Sequence, residues 1–112
     1  MYTYSAKIVR WVDGDTLIVD IDLGFRVTRQ ERLRLARINT PELNSAVPFQ
    51  VRKAKHARAT AKKFAPEGDW VTIKTSKNKI DRYARYIAEV EHNGVNVSDY
   101  LLEQEVAKEL KM

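Results

Sequence analysis

The chain has 112 residues, 44% hydrophobic and 31% charged, enough for one domain with a single core and too apolar for wholesale disorder. It has no cysteine, which excludes disulfides, thiolate metal sites and a cysteine nucleophile, and its two histidines are too few for a histidine-built zinc centre. The net charge of +5 conceals a split: residues 24–88 carry 16 Lys/Arg against 5 Asp/Glu, while the two ends together carry 4 against 10, so a polyanion is the expected partner of the middle.

The first seven residues lack the apolar run of a signal peptide, and no segment is long enough to span a bilayer. The expectation is a cytoplasmic or phage-encoded protein with no membrane partner. Residues 4–12, rich in β-branched and aromatic side chains, predict a strand, and Asp13-Gly14 a hairpin turn. In the next run Leu17, Val19, Ile21 and Leu23 share one face, with Asp20 and Asp22 on the other; Gly24 permits a reversal. A third strand is predicted over 31–38, ended by Pro41, which cannot donate to a ladder and holds Thr40 extended.

From 49 to 65 the period changes. Val51, Ala54, Ala57, Ala61 and Phe64 recur every three or four residues, a helix whose other faces are basic. Residues 70–75 and 86–91 predict two more strands, the second closed by His92-Asn93-Gly94. Ser98 is the expected cap of a last helix with Leu102, Val106 and Leu110 along one side. Five short antiparallel strands, a helix after the third and a C-terminal helix predict a mainly β single domain over 1–112, a small closed barrel of OB type. Of the aromatics Tyr2, Tyr4, Trp11, Phe25, Trp70 and Tyr86, most are expected in its core.

Acids among arginines carry the chemistry. Phosphodiester hydrolysis needs an activated water, stabilisation of charge on phosphorus and a grip on the scissile group. A hard cation on oxygen ligands and arginine forks can supply these. Asp15 after the turn, the Thr40 carbonyl, Glu42, and Arg34 on the approaching strand can converge on one end of the barrel. Taken singly, each has a plainer reading: Asp13-Gly14-Asp15 as a turn, Arg34 as one of several strand arginines, Tyr83 as barrel packing, the helix lysines as a solvated face. Their occurrence together in this order is what points to a site.

Three motifs carry a resemblance: Val12-Asp13-Gly14-Asp15-Thr16, then Arg34 to Glu42 (RLARINTPE), then Asp81-Arg82-Tyr83-Ala84-Arg85. From about Ser5 to Lys108 the chain resembles the staphylococcal nuclease (thermonuclease) family. The resemblance implies an OB barrel with one calcium ion, other divalent ions being possible, that cleaves DNA and RNA to leave 3′-phosphates. It implies Asp15 and the Thr40 carbonyl as calcium ligands, Glu42 as general base, and Arg34 and Arg85 as the phosphate clamp. Tyr83 and the adjacent Arg82 become substrate contacts, Asp13 an acid near the metal, and Asp81 a loop acid.

This chain departs from the family pattern in three places. Asn39 stands where an aspartate ligand is usual, so an amide oxygen replaces a charged one and calcium should bind less tightly. Ala84 replaces a glycine, a strain of about 1 kcal/mol if φ is positive there. Within the 112 residues, the family's third helix and its base-packing tyrosine have no counterpart. Three functions follow: a calcium-dependent, sugar-nonspecific nuclease with a preference for single strands; a non-catalytic OB module binding single-stranded nucleic acid; and a scaffold in which the Leu102, Val106 and Leu110 stripe joins a homodimer.

Overall fold

The computed structural model describes residues 2–76, 80, 81 and 83–110. In chain order the elements are β1 (Tyr2–Asp13), β2 (Thr16–Asp22), β3 (Thr28–Leu35), the short β4 (Ile38–Asn39), α1 (Pro48–Phe64), β5 (Trp70–Thr75), β6 (Tyr86–His92), the short β7 (Val95–Asn96), α2 (Val97–Glu103) and the short β8 (Lys108–Glu109). The sheet runs β3-β2-β1-β5-β6, and parallel pairing of Leu33–Leu35 with Tyr86–Ala88 joins its two edges. The result is a closed five-stranded mixed barrel with two helices, an OB-type architecture.

Period-2 alternation puts Leu17 and Val19, Leu33 and Leu35, and Val71 and Ile73 inside, where they meet Ile8, Trp11 and Val90. The β2 face does not stay inside along its whole length: Ile21 is half-buried and Leu23 exposed as the β2–β3 hairpin runs past the core. α1 packs through Ala54, Ala57 and Ala61, whose small side chains let it lie close to the barrel. It starts at Pro48, one residue earlier than the periodicity predicts, since proline suits a first helical turn. Its far end is tied to β1: the Trp11 indole N–H donates to the Ala65 carbonyl at 2.8 Å, and the Trp11 backbone N–H to Glu67 Oε2 at 3.0 Å.

Four expectations need correction. The predicted third strand breaks after Leu35, because Arg37 takes a left-handed φ of 69° before the chain re-enters extended geometry as β4. The last helix is capped by Asn96, whose side chain accepts the Asp99 N–H at 3.0 Å, while Ser98 is buried and donates to the Ala36 carbonyl. That helix stops at Glu103. Glu105 turns left-handed at φ 60°, the Val106 N–H reaches the Leu101 carbonyl and the Glu105 N–H the Leu102 carbonyl, a Schellman closure without glycine.

The stripe Leu102–Val106–Leu110 therefore does not exist as a helix face. Leu102 and Val106 pack against this chain's own core, and residues 108–109 pair with 38–39. Of the six aromatics, Trp11 alone is buried: Phe25 is fully exposed and Tyr2 and Trp70 more than half exposed. Among the described residues no helix is long and apolar enough to cross a membrane.

Candidate active site at the barrel rim

The β1–β2 turn is only Gly14 and Asp15, between the paired residues Asp13 and Thr16. A Cβ on Gly14 would lie 2.9 Å from the Ala57 Cβ and 3.1 Å from the Thr40 side chain, so the turn lies flat against α1 and the end of β4 only because residue 14 has none. This packing turns the Asp15 side chain inward, where it is 6% exposed. Its Oδ1 accepts from the Thr16 hydroxyl and its Oδ2 from the Thr40 backbone N–H, both at 3.1 Å.

Two guanidinium groups flank that carboxylate. Arg34 leaves β3 with Nη2 3.7 Å from Asp15 Oδ2; its Nη1 donates to the carbonyls of Leu35 and Ile38 at 2.8 Å, and Nη2 to Asn39 Oδ1 at 3.1 Å. Arg85 comes from the other side of the closing seam. Its Nη1 donates at 2.8 Å to the Thr16 hydroxyl, the same oxygen that donates to Asp15. Its Nε and Nη2 meet Asp81 Oδ2 at 2.8 and 2.7 Å. An arginine carries five N–H donors, so one on each terminal nitrogen of Arg85 is left for a ligand. The fork is held from behind and open in front.

Asp81 does this holding. Burial works against its charge, but hydrogen bonds from the Arg85 side chain and from the Arg85 and Tyr83 backbones, with the Arg85 charge, outweigh it and keep the carboxyl below the ordinary aspartate range. The loop is tight enough that Ala84 sits at φ 61°, a left-handed position where alanine is strained. Tyr83 is 62% exposed, which removes the barrel-packing reading, and its ring centroid lies 5.2 Å from the Arg85 guanidinium carbon. Arg82 lies outside the described residues.

Glu42 stands apart. It is exposed, and among the described residues its carboxylate makes no hydrogen bond or ion pair. Its backbone is nevertheless fixed on both sides: Asp15 holds the Thr40 N–H, and Asp13 Oδ1 accepts the Leu43 N–H at 3.2 Å. Both carboxylates of one turn thus staple the segment carrying Glu42. Two residues of extended chain reach at most about 7 Å, so Glu42 stays close to the rim.

For a cation, the rim offers hard oxygen donors: the Asp15 carboxylate, the Asn39 amide oxygen and the Thr40 carbonyl. The Thr40 hydroxyl is buried beside them without a hydrogen-bond partner among the described residues. That chemistry suits calcium or a similar ion, though with a single carboxylate the attraction is small; among the described residues no three Asp, Glu or His side chains gather as a ready-made cage. The sequence did not signal Thr16 as the link between Arg85 and Asp15, nor Asp81 as the holder of Arg85. The four-residue spacing of Asp81 and Arg85 is a trace of the second.

A family model described as staphylococcal nuclease homologue matches residues 32–112, which include Arg34, Asn39, Thr40, Glu42 and Arg85, while the Asp13–Asp15 turn precedes the match. No curated protein matches the chain. With that match over most of its length and a barrel of the expected kind, the chain belongs to the staphylococcal nuclease homologue family, a family of nuclease type.

Proposed function

We propose that this chain is a calcium-dependent nuclease that hydrolyses phosphodiester bonds of DNA and RNA without regard to the sugar, prefers single strands and leaves 3′-phosphates. One observation supports it above the rest: a buried carboxylate flanked by two arginines, one wired to it through a threonine hydroxyl, with N–H donors to spare. Two positive forks gain little from a buried acid between them unless charge is to be balanced there. Asp15, the Thr40 carbonyl and Asn39 would hold the calcium ion, which would supply positive charge to a bound phosphate.

Glu42 takes a proton from the water that attacks phosphorus; the new P–O bond forms as the bond to the 5′-oxygen breaks, and that oxygen leaves as a hydroxyl after protonation from solvent. Arg34 and Arg85 hold the non-bridging oxygens while their charge grows, a contribution of about 3 kcal/mol for one preorganised donor. Tyr83 and Arg82, its neighbour in the sequence, serve as contacts for the substrate. Asp13 acts at a distance, by fixing Leu43 and so Glu42.

The test is digestion of a single-stranded oligonucleotide with calcium, with chelator, and by Glu42→Ala. Cleavage with calcium, none with chelator, and a loss of roughly 10² to 10⁴ in the variant are expected. Equal cutting in all three would end the proposal. A second reading, a binding module that no longer cuts, is favoured by Asn39 and the single carboxylate; salt-sensitive binding without cleavage under any divalent ion would select it.

A further inference from the structure

Beside the rim lies a cleft of about 380 Å³, bounded by the end of β4, by α1 and by the chain returning after α2. It is lined by Asn39, Thr40 and Pro41, of which Asn39 and Thr40 also belong to the rim. Lys53 and His56 come from α1, and Lys108, whose backbone pairs with Asn39 across β4 and β8, from the opposite wall. Lys62 pairs with Glu67 at 3.3 Å and Lys74 with Glu91 at 2.9 Å, while Lys7, Lys55 and Lys63 have no ion pair among the described residues but do not line the cleft. Among the described residues, Lys53, His56 and Lys108 take part in no ion pair. Lys53 is instead placed by an aromatic face, its Nζ 4.5 Å from the ring centre of Phe49. Glu105 is the acid of the cleft lining.

We infer that this cleft seats the phosphodiester next to the one in the arginine clamp, so that a nucleic-acid strand crosses the rim over Asn39–Pro41 towards α1, with Lys53 and His56 as its contacts. The inference rests on the reading of the rim as a phosphate clamp and adds a direction and a length requirement to it. A basic face scattered over α1 would attract any strand weakly. A cleft sharing Asn39 and Thr40 with the rim discriminates by length instead: a dinucleotide with one internal phosphodiester fills the clamp alone, and a longer strand fills both.

The test measures binding, not cleavage, by the anisotropy of a fluorescein-labelled octathymidylate displaced by unlabelled oligothymidylates of two and eight nucleotides without terminal phosphates, with the whole chain in chelator at low salt. Lys53→Ala should weaken the octamer roughly tenfold and leave the dimer unchanged, the size of one charged hydrogen bond. The slope of log affinity against log salt for the octamer should fall by about 0.7, the value for one phosphate contact on a single strand. Lys62→Ala, the same loss of charge on the same helix outside the cleft, should change octamer binding less than twofold, and Glu105→Gln should tighten it. Equal losses from Lys53→Ala and Lys62→Ala, or a dimer weakened as much as the octamer, would overturn the cleft. Circular dichroism melts confirm that each variant is folded. Octamer binding that depends on Lys53 in a protein that cuts nothing would keep the cleft and discard the nuclease; cutting that ignores Lys53 would do the reverse.

Discussion

On the barrel side of the rim, Asp15, Arg34 and Arg85 are held by strand backbone, by Thr16 and by Asp81, and both arginines have most of their donors assigned. On the loop side, Glu42 is exposed and its carboxylate makes no hydrogen bond or ion pair among the described residues, although its backbone is stapled by Asp13 and Asp15. The contrast separates two physical tasks. Groups that stabilise charge work best when they are fixed before the reaction, because reorienting dipoles costs energy at the moment of need. A group that takes a proton from water must meet water, and exposure serves it.

The largest effect should come from breaking the fixed side. Arg85→Lys keeps the charge but loses the fork that meets Asp81 with two nitrogens and Thr16 with a third. Single-turnover cleavage should slow by about 10² to 10³, while affinity for a short oligonucleotide changes far less. A lysine variant as fast as the parent would mean that charge alone matters and the fork does not.

How much of this was readable from residues alone differs between the same two regions. Alternation in β2 and β5 and the alanine spacing in α1 report directly on which faces are buried, because period follows from backbone geometry. The meeting of Arg34 and Arg85 does not: it depends on the parallel seam that places Arg34 opposite Ile87, a pairing between strands some fifty residues apart. The end of α2 was hidden for another reason. Helices usually stop at glycine, and Glu105 adopts the left-handed turn without one, so the apolar spacing ran on past the true end.

Gly14→Ala tests the platform beneath Asp15. The added methyl meets the Ala57 Cβ and the Thr40 side chain, neither of which can swing away, so overpacking should cost about 1 to 3 kcal/mol in denaturant unfolding. Loss of cleavage should accompany it, since Thr40 and Asp15 shift together. An unchanged midpoint would show that α1 yields freely and that the turn is not clamped.

Asn39→Asp sharpens the electrostatic half of the comparison. A second carboxylate on the oxygen set should tighten calcium about tenfold by calorimetry, a modest gain because the position is exposed. No change would remove residue 39 from the ion's ligands. Ala84→Gly is smaller again. Relief of the left-handed strain at φ 61° should raise stability by about 1 kcal/mol and leave Arg85 in place; destabilisation would mean that the methyl group packs usefully.

Acid should release two carboxylate anchors in sequence. Glu67 is held below its ordinary value of 4.5, first by the Trp11 backbone N–H and then, against burial, by Lys62. Asp81 is held below its ordinary value of 3.8, where burial opposes the charge and the Arg85 and Tyr83 hydrogen bonds overcome it. A carboxyl with a lowered folded pKa contributes stability that is complete above its unfolded value and lost as pH falls through the folded one. Thermal melts should therefore be flat down to about pH 4.5, with the Glu67 share lost first and the Asp81 share below pH 3.8. Glu67→Gln should flatten the upper part of that decline, and Asp81→Asn the lower part. Asp81→Asn should also slow cleavage at neutral pH, because Arg85 loses its backing, whereas Glu67→Gln should not. Variants that decline in parallel with the parent would mean that neither acid carries its charge differently in the folded chain, and the Arg85 fork would then owe its position to Thr16 alone.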